Sequence, residues 1–130
     1  MKMKDIVYGH LIPMKELPGR DLQWLFTPDM GVSENFSLNV VNIKPGCTVS
    51  PAHSHPEKEE ICYVVSGKGK AYLDGGVYDI CEGTAIHFPK KSIHMLRNSG
   101  TVDMKVVCFF TPQATFEDYD YHPDVEFPEE

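Results

Sequence analysis

The stretch GCTVSPAHSHPEKEEICYVVSG, residues 46–67, places two histidines one residue apart, three glutamates within the next five positions, and an apolar run that ends at glycine. On an extended strand, His53 and His55 lie two apart and present both imidazoles to one face. Glu60 opens the following run, and its carboxylate can return to the same side, with Cys62 and Val64 following at period two. Glu59 points to the opposite face once the chain is extended. Glu57 belongs to the loop, where solvation explains it. Alone, a His-x-His pair is a weak signal, because histidine pairs on strands are common, so the surrounding chain has to decide its meaning.

Outward from this stretch the sequence is almost all strand and turn. Residues 36–43, FSLNVVNI, alternate and are rich in β-branched side chains, and KPG then turns the chain. Strand-like runs follow at 60–66, 70–73, 77–80, 84–89 and 93–98. The DGG after Leu73 signals a hairpin turn. MKVVCFFTP, residues 104–112, is the most apolar run and is expected at the centre of a sheet. Glycine or proline recurs roughly every 8 to 12 residues, the punctuation of an all-β sandwich or barrel. Residues 13–26 are the one place where a helical turn is expected, interrupted by Pro18–Gly19. There is no internal repeat.

At 130 residues the chain supports one hydrophobic core. No apolar run approaches the ~20 residues that span a bilayer, and the N-terminus lacks the unbroken apolar stretch of a signal peptide, so a cytoplasmic location is expected. The formal charge is −7, but residues 117–130 hold seven acids and no Lys or Arg, which leaves the first 116 residues neutral. A neutral body has no basic patch to meet a phosphate backbone, which argues against nucleic-acid binding. The acidic end reads either as a solvated tail or as a segment whose Phe116, Tyr119, Tyr121 and Phe127 lay aromatic faces on the body or on a partner subunit. Cys47, Cys62, Cys81 and Cys108 are scattered, with no Cys-x-x-Cys pair. Cys62 and Cys108 lie in apolar runs and read as small buried hydrophobes.

A third imidazole, His94, sits on a much later strand, after a bend that contains Pro89. His53, His55, Glu60 and His94 converging in a barrel make a mixed nitrogen and oxygen site, suited to one Fe, Mn, Ni, Co or Zn ion rather than Ca or Mg. Two blocks frame these residues. In the first, Gly46 precedes His53 and His55, four residues separate His55 from Glu60, and six separate Glu60 from Gly67. After a 15-residue interval, the second has Gly83, five residues, Pro89, His94 five further on, and Asn98 after three more. Together they closely resemble the two signature motifs of the cupin superfamily, in a short single-domain form, across roughly residues 38–112. The resemblance implies a double-stranded β-helix, or jelly-roll, barrel with His53, His55, Glu60 and His94 as metal ligands. Two departures stand out. Lys91 occupies a position that is usually glycine, and six residues rather than five separate Gly46 from His53, which implies a bulge or a longer loop.

The expected organisation is an N-terminal arm at 1–35 packed on the barrel or on a partner subunit, a barrel core at 36–112, and an acidic aromatic extension at 113–130. Asn98 is expected to hold its strand's return by a side-chain hydrogen bond, and Arg97 to point away from the His94 side. Trp24 reads as an anchor for the arm, while Tyr63 and Tyr72 fit either face. His10 and His122 have no companions that would make them ligands.

Four protein ligands leave one or two positions open on a five- or six-coordinate ion, where water or a substrate oxygen can be polarised. Such a centre suits a small hydroxy-ketone, sugar derivative, diol or carboxylate. The chemistry is isomerase or lyase chemistry with Glu60 switching from ligand to base, or dioxygenase chemistry with a redox metal. The alternative is a metal-containing protein that binds a sugar or metabolite without turnover. A proton-transfer residue in the cavity separates the two readings, and His87 is the one candidate besides the ligands. It serves as a proton shuttle if it faces the cavity, and otherwise is an ordinary core or surface histidine. A homodimer is expected, because a small jelly roll leaves sheet edges that the two terminal segments can cover.

Overall fold

A computed structural model describes residues 5–50, 52–112 and 119–128. Eleven strands are formed among these residues: β1 (Lys15–Leu17), β2 (Arg20–Phe26), β3 (Ser37–Ile43), β4 (Ala52–Ser54), β5 (Glu59–Ser66), β6 (Lys68–Leu73), β7 (Gly76–Cys81), β8 (Ala85–Phe88), β9 (His94–Asn98), β10 (Met104–Thr111) and β11 (Asp120–His122). One sheet has the order β1-β2-β3-β10-β5-β8 and the other β11-β4-β9-β6-β7. All the pairings are antiparallel. The two sheets close face to face as a jelly roll, and the expected all-β barrel is the fold observed.

Period-two burial decides which side chains fill the interior. Along β3, Ser37, Asn39, Val41 and Ile43 are buried and the residues between them only partly so. Along β10, Met104, Val106, Cys108 and Phe110 turn inward, and β5 contributes Glu60, Cys62 and Val64. β10 lies between β3 and β5, the central place that its apolar sequence predicts. Leu73 pairs with Gly76 across the DGG turn, where Asp74 and Gly75 take φ of 45° and 95°, the pairing of positive angles that a two-residue hairpin favours.

The helical turn expected within residues 13–26 is absent. That stretch forms β1 and β2, joined by Pro18–Gly19, and β2 pairs with β3 from Asp21↔Asn42 to Phe26↔Leu38. The apolar spacing of Leu22 and Trp24 satisfies a strand once β3 offers an edge, so sheet pairing overrides a weak helical pattern. At Gly19, φ is +80°, and a Cβ there would lie 1.7 Å from the Thr48 carbonyl oxygen, so only glycine fits this turn. Trp24 packs its ring 5.7 Å from that of Phe110, on the body of the same chain. The N-terminal segment thus supplies two strands of the larger sheet.

The acidic end is not a solvated tail within its described part. β11 pairs with β4, matching Tyr121 to His53, and Phe127 is buried beneath the Arg97 guanidinium, which sits 4.3 Å from its ring centre. Phe116 lies outside the described residues. Asn98 behaves as expected: fully buried, it donates to the carbonyls of Ile43 (2.8 Å) and Val102 (2.7 Å) and accepts from the Gly100 amide (2.8 Å). No helix among the described residues is long and apolar enough to cross a membrane.

Candidate metal centre

The four residues marked by the sequence come together inside the barrel. His53 is on β4, His55 just after it, Glu60 near the start of β5 and His94 at the start of β9. All four are buried, and one ligand atom from each lies within 4.8 Å of the others. β4 pairs with β9 through His53↔His94, which sets their rings 4.5 Å apart. Phe88 stacks flat on His94 at 4.1 Å, and Phe110 meets the His55 ring edge to face at 5.2 Å. The site is therefore a small polar cluster in an apolar sleeve.

The loop that carries His94 explains the Lys91 departure. Lys91 takes φ of 67°, the left-handed conformation that favours glycine, and its amide donates to the His55 carbonyl at 2.9 Å. The bend is thus made with a side chain present, and it ties the two histidine-bearing segments together.

Hydrogen bonding prepares the donors. His94 Nδ1 lies 3.0 Å from the Ser92 carbonyl oxygen, and its Nε2 lies 3.0 Å from Glu60 Oε1. His55 Nε2 is 3.2 Å from the same oxygen, and His55 Nδ1 is buried without a hydrogen-bond partner. Glu60 Oε2 accepts from the Cys62 thiol at 3.1 Å. Burial pushes the Glu60 carboxyl up, but hydrogen bonds and charge from His55 and His94 outweigh this and hold it well below the ordinary carboxylate range. His53 is held well below the usual histidine value, by burial first and by neighbouring His94 second, so it stays neutral. Three imidazoles and an ionised carboxylate with their donor atoms gathered this closely fit a divalent transition metal, because a cation there satisfies all of them together. This cluster is able to hold such an ion.

His87 is not part of the site. Its side chain is 53% exposed on the outer face of β8 and is paired with Glu59 at 2.8 Å. Its neighbour Phe88 takes the inward position, and strand alternation sends His87 outward. Glu59 likewise lies on the outer side, as its parity with Glu60 requires.

The cavity instead contains side chains that local sequence patterns did not mark. Tyr119, just before β11, stacks on His53 at 4.9 Å and meets His55 edge to face at 4.5 Å. Burial, followed by the charge of Glu60, raises its pKa well above the usual tyrosine value, so the phenol keeps its proton. Arg20 and Asn39 line the same cavity from β2 and β3. Cys62 and Cys108 lie beneath Glu60, their sulfurs 3.5 Å apart, free and fully reduced. The hydrogen bond to Cys108 and burial raise the Cys62 pKa well above 9, which keeps it a thiol donor. Cys62 is a small buried residue, as its apolar run predicts, and in addition a donor to Glu60.

Fold and site together define a small jelly roll with a buried cluster able to hold a metal. The family model for the cupin domain matches residues 39–110, and the chain belongs to this family. It is 32% identical over 130 residues to the polyketide synthase CurC of Streptomyces cyaneus, covering 95% of this chain and 82% of that protein. An uncharacterized protein of Methanocaldococcus jannaschii is 28% identical over 120 residues, 91% of this chain and 94% of its own length. Among solved structures, the nucleoside dehydratase Pac13 of Streptomyces superposes with a TM-score of 0.72 at 19% identity, over 90% of this chain and 89% of that one. A predicted oxalate decarboxylase of Thermotoga maritima gives a TM-score of 0.75 at 18% identity, over 82% and 98%. At these identities the structural likeness speaks for the fold. Cupins of this shape include enzymes.

Proposed function

We propose that the protein is a metal-dependent enzyme of isomerase or lyase type, acting on a small oxygen-rich metabolite such as a sugar derivative, hydroxy-ketone or carboxylate. The observation that carries this reading is Tyr119, a protonated phenol packed against two of the three histidines of the cluster. Binding without turnover needs the ligands but no proton donor beside them. His53, His55, Glu60 and His94 would hold one divalent ion, which when bound supplies a Lewis acid for a substrate oxygen. Tyr119 would donate a proton to the departing or rearranging oxygen. Glu60, anchored by Cys62, would accept one from carbon. The apolar sleeve of Phe88 and Phe110 would keep bulk water from the proton path. A structural neighbour that is a dehydratase fits lyase chemistry on this fold.

The test is elemental analysis of untagged protein beside His94→Ala, followed by NMR in D₂O with a panel of small hydroxy-ketones and hydroxy acids. Near one equivalent of metal is expected in the wild type and a loss in His94→Ala. Deuterium uptake at carbon is expected in the wild type and is reduced about 100-fold or more in Tyr119→Phe with metal retained. A wild type that stays metal-free after supplementation removes the reading. Retained metal with no exchange on any substrate favours the binding protein instead, and iron with oxygen consumption favours a dioxygenase.

We also propose that the chain pairs with a second copy, through the outer face of β5, where Ile61 and Tyr63 are 44% and 50% exposed. Sedimentation equilibrium at a monomer mass across the micromolar range would remove this part of the proposal.

A further inference from the structure

Arg20 is a charged residue at a core-facing position. On β2 the inward side carries Arg20 and Leu22, and the arginine is only 9% exposed. Removing a guanidinium from water is costly unless its donors are engaged. Nη1 donates to the Pro18 carbonyl at 3.0 Å, with the Ser50 carbonyl at 3.4 Å, and among the described residues no carboxylate forms an ion pair with it. These contacts hold the arginine in place without neutralising it. Arg20 lines the chamber that also contains His53, Glu60 and His94.

Asn39 makes a second case of the same kind. It lies on the inward face of β3, 1% exposed, and its Oδ1 has no hydrogen-bond partner although it is buried. An orphaned buried acceptor is rare in a folded protein and calls for a missing donor. Asn39 and Arg20 line one chamber from adjacent strands, with the Leu22↔Val41 pair between them, so a molecule that spans this pair meets both.

We propose that Arg20 and Asn39 form the recognition end of the cavity, and that the substrate carries a carboxylate which docks on the Arg20 guanidinium beside a hydroxyl that donates to Asn39 Oδ1. Arg20 is the one Lys or Arg lining the cavity among the described residues, which matches a monoanion better than a phosphate dianion. The planar guanidinium also meets a planar carboxylate with two parallel hydrogen bonds. This inference rests on the enzyme reading for its second pole. The metal-binding end takes the chelating oxygens, and Arg20 takes a separate carboxylate. It narrows the substrate class to hydroxy acids that bear an acid group away from the reacting oxygens.

The experiment compares malate with lactate, which share the α-hydroxy-carboxylate head and differ by one further carboxylate. Calorimetric titration is run on metal-supplemented wild type, Arg20→Gln and Arg20→Lys. Wild type is expected to bind malate 10- to 100-fold more tightly than lactate. Arg20→Gln removes that preference and leaves lactate binding within about twofold, and Arg20→Lys restores part of it. No preference in wild type, or one that persists in Arg20→Gln, overturns the proposal, as does an equal loss of both ligands in a folded variant, which marks Arg20 as a clamp for the β1–β2 turn. Should Arg20→Gln fail to fold, the Arg20 side-chain ¹⁵N–¹H signals of wild type decide. They shift with malate and not with lactate if the docking is correct, and an unmoved signal overturns it. Metal content measured on the same samples separates this failure from that of the enzyme reading. A metal-free wild type that still prefers malate through Arg20 keeps the recognition end and loses the metal chemistry.

Discussion

Glu60 uses its two oxygens differently. Oε1 faces His55 and His94, while Oε2 accepts from the Cys62 thiol, which fixes the plane of the carboxylate. Partners that orient a ligand in this way typically account for 10- to 100-fold in metal affinity. Cys62→Ala is therefore expected to weaken metal binding by roughly tenfold or more, measured by competition with a chromogenic chelator, with the fold unchanged by circular dichroism. Unaltered affinity would show that Glu60 is held by the histidines alone. At this scale the sequence was legible for the ligands and silent about their support. Parity along β5 places Cys62 on the Glu60 side, but nothing in the run ICYVV distinguishes a thiol donor from a small apolar filler. His87 was open between a cavity position and an ordinary core or surface one, and its place on the outer face of β8 is the surface one.

Among the elements, the loop between β8 and β9 is where the chain departs from its family and carries strain for it. Lys91 stands at φ 67°, and a non-glycine residue in this region costs on the order of 1 kcal/mol. Lys91→Gly is expected to stabilise the protein by up to about 1 kcal/mol, less the entropy that glycine adds to the unfolded chain. The amide that bonds the His55 carbonyl survives the substitution, so metal affinity should hold. Urea unfolding of the two proteins checks this, and a lower midpoint for Lys91→Gly would mean that the lysine side chain outweighs the backbone strain. The strands were largely readable at this scale, because β3, β5 and β10 alternate or run apolar by themselves. β1, β2 and β11 were not. Each is short or weakly patterned and becomes a strand through the neighbour it pairs with, β2 on β3 and β11 on β4.

For the molecule as a whole, burying the ligand cluster couples stability to pH. His53 is depressed in the folded state below its ordinary 6.5, so on acidification the unfolded chain takes up a proton first. Glu60 is depressed below its ordinary 4.5, so it too binds its proton earlier when unfolded. Both place more protons on the unfolded state than on the folded one, and stability therefore rises with pH across each interval. The metal-free protein is expected to lose stability as pH falls below about 6.5, more steeply below about 4.5. Urea midpoints in chelator at pH 7.5, 5.5 and 4 check this, and His53→Gln should flatten the upper part of the curve. A midpoint that is flat or rises toward pH 5.5 would contradict the placement of a neutral His53 in the core. Metal should raise the midpoint at pH 7.5, by an amount that grows with the logarithm of its free concentration above Kd.

The sequence by itself determined the barrel and the four converging residues. His53 and His55 share a face by period-two geometry, and the resemblance of the two blocks to the cupin motifs joins Glu60 and His94 to them. Only the tertiary structure decided what else faces that centre. Arg20, Asn39 and Tyr119 come from β2, β3 and the segment before β11, which no local pattern links. Antiparallel pairing across long separations brings these segments to one cavity, and inward parity turns Arg20 and Asn39 toward it. Periodicity is a property of neighbours along the chain, whereas a shared cavity is a property of neighbours across the sheets.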